Sequence, residues 1–330
     1  MDIKIRAFEN NDLDLLVAHG LMDLGKAYWE WFISFRPQER LFLVAYLDDV
    51  PIGYFVTIQS GLKVGARLAN AYWGDIFIHP DHRKKWYSVF VLTSLVEKLF
   101  TEIAKNDGVT YGFPTQRLVP YYAREMDSHP LKTIPSYVCT LRPVHWLWRR
   151  WFSFGLCHPK GLSIKEVNFF DERFNRLWER ASKPHPIIAV RDAETLNWRY
   201  LKEPGKPYVI FSAERDHEVL GYLILKPRDH RNKNLGLLID LFDIKDEAVT
   251  KALILKAIEF FEKEGVNEIK FHVSDDYTER ILSSLRFVKK DRLPEAADLL
   301  MTTCYTKSLD RDFYYNAKNW FITTADMLLS

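Results

Sequence analysis

The sequence predicts an α/β (α+β) protein made of two tandem copies of one β-rich unit, and three observations carry that expectation. At 330 residues the chain is about twice a common domain length. Strand-like and helix-like segments follow one another in the same order in both halves. The halves also match residue by residue: DVPIGYFVTI (Asp49 to Ile58) resembles HEVLGYLILK (His217 to Lys226), and GDIFIHPD (Gly74 to Asp81) resembles IDLFDIKD (Ile239 to Asp246). NDGVTYGF likewise resembles KEGVNEIKF. The units divide near residue 145, giving 1–145 and 146–330.

Ile3 to Phe8 alternates as a short strand, and Asp12 can cap the helix beginning LDLLVAHGL. An aromatic-rich helix follows over roughly Leu24 to Phe35. LFLVAYL and PIGYFVTIQ read as strands joined at Asp48-Asp49, and a longer strand runs from about Arg67 to Ile78. From about Trp86 to Lys105 the pattern is helical, with Phe90, Leu92, Leu95, Val96 and Leu99 on one face. Asn106-Asp107-Gly108 stops that helix; VTYGF is the next strand, Gln116 to Glu125 a short helix, and Tyr137 to Leu141 another strand. In the second half, Asp276 to Leu285 parallels Gln116 to Glu125. Between the units lies RPVHWLWRRWFSFGL (Arg142 to Leu156), whose aromatics are expected to pack between domains with the arginines at the rim. Trp320 and Phe321 are expected to seal the second domain.

Composition narrows the function. Hydrophobic residues make up 47% of the chain and aromatics 15%, enough for packed cores. A net charge of +2 with both signs interspersed argues against a nucleic-acid binder, which would carry a basic excess. Cys139, Cys157 and Cys304 show no metal or redox spacing and read as reduced thiols. The N-terminus lacks a basic segment followed by an apolar run, and no stretch approaches the roughly 20 apolar residues of a spanning helix. The expectation is a cytoplasmic protein with no integral membrane segment. Asp275-Asp276 and Asp310-Arg311-Asp312 read as solvated loop charges, and no metal is expected.

The chemistry centres on IHPDHRKKWYS (Ile78 to Ser88), a strand end, a Pro-marked turn, a basic cluster and a helix start. Backbone N–H groups and the helix dipole bind phosphate at such a place, with Arg and Lys adding charge. Glycines usually allow the close approach, whereas here Trp86 stands in the turn. The second half lacks this basic segment and passes instead through Asp243, Asp246 and Glu247, so a phosphate site would exist once.

With this turn, the first half resembles the GNAT superfamily of acyl-CoA N-acyltransferases. The family's pyrophosphate motif falls on Arg83-Lys84-Lys85-Trp86-Tyr87-Ser88, preceded by His79-Pro80, with Trp86 in a glycine position. The whole chain, including GYLILK and LNWRY (Leu196 to Tyr200), is similar to double-domain members, some of them encoded among polysaccharide-biosynthesis genes. The resemblance implies that each unit is a mixed, mostly antiparallel sheet flanked by helices. It implies acetyl-CoA, or another acyl-CoA, as cosubstrate. The pantetheine arm would lie along Ile76-Phe77-Ile78, Thr115 would take the place of a frequent Asn near the cofactor, and Tyr122 would be the acid that protonates the leaving thiolate. Asp75 is the carboxylate best placed on that strand to act as base. The acceptor it implies is a small amine such as an amino sugar. A degenerate scaffold that binds without transfer stays open beside this reading, since Trp86 directed inward would fill the groove. Oligomeric state is not set by these residues.

Overall fold

The computed structural model describes residues 2–36, 40–114, 118–141, 161–205, 208–227, 235–290 and 299–327. The chain first forms β1 (Ile3–Ala7), α1 (Asp12–Ala18), α2 (Lys26–Ser34), β2 (Leu41–Leu47), β3 (Val50–Val64) and β4 (Arg67–Ile78). It continues through α3 (Ser88–Lys105), β5 (Val109–Gly112), α4 (Val119–Glu125), β6 (His129–Thr133) and β7 (Ser136–Thr140). Next come β8 (Ser163–Glu166), α5 (Glu172–Ala181), β9 (Ile187–Ala189), α6 (Ala193–Leu196), a π-helical turn (Asn197–Leu201), β10 (Val209–Arg215) and β11 (Glu218–Lys226). The last elements used below are β12 (Leu235–Asp243), α7 (Glu247–Lys263), β13 (Glu268–His272), α8 (Asp276–Ser284), β14 (Val288–Lys290) and β15 (Leu299–Cys304).

These strands form two mostly antiparallel sheets flanked by helices. The first has the order β1-β2-β3-β4-β5-β15-β6, with β9 added to the far end of β3. The second has the order β14-β7-β13-β12-β11-β10-β8. The sheets therefore exchange strands: β7 precedes residue 145 yet lies in the second sheet, while β9 and β15 follow it and lie in the first.

Local sequence explains the repeated geometry. The β2–β3 hairpin turns through Asp48 and Asp49 at φ of 48° and 67°, and the β10–β11 hairpin through Asp216 and His217 at 50° and 64°. Positive φ at both central residues is the mark of the type I′ turn common in two-residue hairpins, and Asp tolerates it better than most side chains. In α3 the buried stripe is Val91, Leu95, Val96, Leu99 and Ile103. The expected stripe included Phe90, but 91, 95, 99 and 103 set the phase, and Phe90 stands 57% exposed.

The opposite face of the first sheet carries an aromatic core from α2, and the π-helical turn is keyed into it. Trp198 stacks on Trp31 at 4.8 Å and Phe35 at 4.2 Å. The two tryptophans also exchange bonds: Trp31 Nε1 donates to the Trp198 carbonyl at 2.9 Å, and Trp198 Nε1 to the Trp31 carbonyl at 3.3 Å. Paired aromatics of this kind add to the area they bury.

Other expectations change. Phe321 joins the core of the second sheet, but Trp320 packs with Leu62, Val64 and Tyr111 of the first. Asp275 is no solvated loop charge: it caps α8 by accepting from Thr278 N at 3.0 Å and pairs with Lys245 at 2.9 Å. Cys139 and Cys304 are buried. The segment Arg142 to Leu156 and Cys157 lie outside the described residues.

Candidate active site

β4 and β5 run parallel and are paired only at Ala71–Val109 and Tyr72–Thr110. Beyond that point β5 bonds to β15 on its other side, while β4 continues through Trp73 to Ile78 with β3 as its strand partner among the described residues. The two strands fork, and among the described residues no strand pairs with the β5-facing edge of β4 beyond Tyr72. Gly74 lets β4 hug β3 at the fork: a Cβ there would fall 1.9 Å from the Val56 carbonyl oxygen. Ile76, Phe77 and Ile78 lie along this stretch.

The basic turn follows at the end of β4. Lys84 and Lys85 are exposed. Arg83 folds back, its Nε donating to the Ile78 carbonyl at 2.7 Å and its guanidinium lying over the Phe77 ring at 4.9 Å. Tyr87 is buried and bonded to His82 at 2.7 Å, and Ser88 Oγ donates to the Arg83 carbonyl at 3.0 Å. Trp86 stands 79% exposed, its indole edge-on to the Tyr87 ring at 5.6 Å. The amides of Lys84, Trp86 and Tyr87 have no acceptor among the described residues, and α3 carries no side-chain cap. Unsatisfied N–H groups at the start of an 18-residue helix attract an anion.

Alternation along β4 puts Trp73, Asp75 and Phe77 on the α2 face, opposite α3. Asp75 accepts from Tyr54 Oη at 2.9 Å. Its side chain is reachable by solvent yet hemmed in by protein, and that desolvation raises its pKa, with the Tyr54 bond opposing. Tyr122, on α4, comes near enough for the Asp75 charge to act on its phenol. Burial above all, then Tyr121 and Asp75, pushes the Tyr122 pKa up. Tyr122 packs beside Tyr121 against the α3-side cluster, the other face of the sheet from Asp75. Thr115 lies outside the described residues. Sequence reasoning missed Tyr54, Tyr28, Asp23 and Glu203 around Asp75; the signal was the Gly-Tyr pair followed by an Asp in both halves.

The second sheet repeats this frame and fills it. Gly53–Ile78, Tyr54–Phe77 and Val56–Asp75 in the first sheet correspond in register to Gly221–Asp243, Tyr222–Phe242 and Ile224–Asp240. Tyr222 donates to Asp240 at 2.8 Å, as Tyr54 does to Asp75. β12 and β13 also fork, after Leu237–Lys270. Here the C-terminal strap Trp320–Asp326 occupies the opening: Ser274 N donates to the Ile322 carbonyl at 3.0 Å, His272 N to Thr324 Oγ1 at 2.9 Å, and Thr323 Oγ1 to Asp240 at 2.8 Å. The start of α7 is capped from within, Asp246 accepting from Ala248 N at 2.9 Å.

At the foot of this closed fork Asp243 is buried, and burial raises its pKa to about 7 despite bonds from Lys245 N and Thr250 Oγ1. The folded protein therefore holds a proton that the unfolded chain releases near pH 3.8. Stability falls as pH rises from about 4 to about 7 and then levels, by about 1.4 kcal/mol per pH unit for this one proton. Denaturant titrations at pH 5, 6, 7 and 8 are expected to show that decline in the wild type relative to Asp243→Asn, which lacks the group.

Among the described residues no set of His, Cys, Asp and Glu is arranged to hold a metal ion, and no helix is long and apolar enough to cross a membrane. No family model and no curated protein matches the chain. Solved structures do. A probable N-acyltransferase of unknown function from Enterococcus faecalis superposes with a TM-score of 0.65 at 12% identity, covering 93% of this chain and 73% of its own. A GCN5-related N-acetyltransferase from Anabaena variabilis gives 0.64 at 13%, covering 92% and 73%. The fold is that of the GNAT superfamily. Saccharomyces cerevisiae N-myristoyltransferase with bound myristoyl-CoA also shares it, at a TM-score of 0.55 and 13% identity over 91% of this chain and 82% of its own. The forked β4–β5 edge and the uncapped start of α3 are the two features of this GNAT fold that the second sheet closes.

Proposed function

We propose that the protein is an acyl-CoA-dependent N-acyltransferase, moving an acetyl or other acyl group to a small amine, an amino sugar among the candidates. The observation that carries this reading is the contrast between the sheets: fork and helix start are both open in the first and both filled in the second. An acyl-CoA suits such a site because its pantetheine arm can pair with the free edge of β4. The pyrophosphate would meet the amides of Lys84, Trp86 and Tyr87, with Lys84 and Lys85 supplying charge. Trp86, whose inward rotamer would favour a scaffold without activity, stands in solvent.

In this reading Asp75 takes a proton from the acceptor ammonium, freeing the nitrogen lone pair. The N–C bond forms as the C–S bond breaks, Tyr122 gives its proton to the departing sulfur, and the surplus proton on the new amide nitrogen restores the phenol. Amides along Ile76–Ile78 would polarise the thioester carbonyl. Calorimetric titration with acetyl-CoA, CoA and myristoyl-CoA tests the reading. Micromolar binding, weakened at least tenfold in Lys84→Ala/Lys85→Ala, is expected; no heat at millimolar ligand and an unchanged melting temperature would sink it.

A further inference from the structure

We infer that the start of α3 docks on an anionic membrane surface, with Trp86, Val89 and Phe90 entering the headgroup layer and Lys84 and Lys85 meeting lipid phosphates. The inference rests on the surface of this turn and stands or falls apart from the acyltransferase reading.

Apolar exposure is concentrated here. Among the described residues, large apolar side chains stand exposed at ten positions, and three of the ten fall within residues 86–90: Trp86, Val89 and Phe90. Apolar residues exposed singly are ordinary on a protein surface, whereas a cluster marks a contact site. Local geometry puts the three together. Tyr87 has helical dihedrals, Ser88 N donates to the Lys85 carbonyl at 3.0 Å and Val91 N to the Tyr87 carbonyl at 2.9 Å. The chain therefore coils from Lys85 into α3, and residues three and four apart share a side. Tyr87, Val91 and Leu95 take the buried side. Thr93, next along the exposed one, spends its hydroxyl on the carbonyls of Val89 and Phe90, both at 3.0 Å, which lowers the cost of bringing it near lipid.

The charge beside the patch is mostly of one sign. From His79 to Val96 the bases Arg83, Lys84 and Lys85 stand against one acid, Asp81, which lies 3.7 Å from the His79 ring nitrogen. Arg83 is engaged by the Ile78 carbonyl and the Phe77 ring, while Lys84 and Lys85 are exposed. Glu97 and Lys98 follow two turns beyond Phe90 and offset each other. Lysines adjoining exposed Trp and Phe suit the bilayer surface, where ammonium groups reach lipid phosphates and aromatic rings settle at headgroup level. A protein partner fits less well. Stable protein interfaces take about 20–30 residues a side, whereas the apolar patch here is three side chains on a helix start.

The test sediments the full chain, without CoA, with vesicles of equal parts phosphatidylcholine and phosphatidylglycerol and with vesicles of phosphatidylcholine alone. Binding to the anionic vesicles is expected, decreasing as salt is raised, with binding to phosphatidylcholine at least tenfold weaker. Val89→Gln/Phe90→Gln keeps the basic residues and the turn amides. It is expected to weaken binding to the anionic vesicles at least tenfold while melting temperature and CoA affinity stay the same, and Trp86→Gln, made separately, to show a similar loss of vesicle binding. Absence of binding to either vesicle, or a double variant that binds the anionic vesicles as the wild type does, would overturn the inference. So would a wild type that ignores vesicles and forms a dimer the double variant does not, which would give the patch to a second copy of the chain. A protein that binds vesicles but no CoA keeps this inference and loses the acyltransferase reading; one that binds CoA but no vesicles does the reverse.

Discussion

Arg191→Met is expected to lower the unfolding free energy by about 3–5 kcal/mol, the usual cost of removing one partner from a buried ion cluster. Arg191 is 4% exposed and donates to Asp240 at 3.0 Å, to Asp326 at 2.7 Å, to Thr323 Oγ1 at 3.2 Å and to the Ala189 carbonyl at 2.9 Å. Methionine replaces the stem but leaves Asp240 and Asp326 buried without their cation. The opposing attraction holds the strap to β12, so the loss should also loosen Trp320–Asp326. Chemical denaturation would read the effect as a lower midpoint at unchanged slope. Adding Asp240→Asn and Asp326→Asn should recover most of it, because the penalty lies in the orphaned charges and not in the missing hydrogen bonds. A change below 1 kcal/mol in the single variant would show that the cluster is hydrated, against its packing.

On the proposed acyltransferase reading, with Tyr122 as its general acid, Tyr122→Phe is expected to reduce the rate of acyl transfer by about 10²–10⁴-fold while acyl-CoA affinity changes little. A phenol already carries its proton at neutral pH, and burial above all raises the Tyr122 pKa further, so the group rests protonated and able to donate. Phenylalanine preserves the ring and its edge-on contact with Tyr121 at 6.0 Å. Single-turnover measurement with acetyl-CoA and an amine separates this loss from binding. A variant within threefold of wild type would take the acid role away from Tyr122.

The order of strands and helices was legible because each element follows from local patterns: alternation in β2 and β3, paired Asp residues in the hairpin, an apolar stripe in α3. The open fork was partly legible, since the basic turn and its absence from the second half both show in the sequence. Three things were not. Trp86 occupies a position where direction decides everything, and no pattern encodes its rotamer. The exchange of β7 and β15 depends on which edge each strand finds, and a short apolar strand such as LLMTTC carries no address. The partner of Asp240 lies 49 residues away at Arg191, so that pairing could not be read from spacing. The Gly-Tyr and Asp repeat was visible as a repeat, but its meaning required knowing that Tyr54 reaches Asp75 and Tyr222 reaches Asp240.

The exchanged strands also bear on how the protein is made. A chain emerging from the ribosome presents β1 to β6 early, with β5 and β6 facing a gap that β15 alone fills: Thr110 must wait for Thr303, and Thr133 for Leu299. β7 meanwhile leaves the first half to await β13 and β14. The half bearing the open fork is therefore completed by a strand that follows β7 to β14 in the chain. Such distant pairings slow folding and leave strand edges bare in the interval. A polypeptide that stops before β15, whether a stalled nascent chain or a truncated product, has an unfinished first sheet, so assembly of the candidate catalytic half waits until β15 has been made.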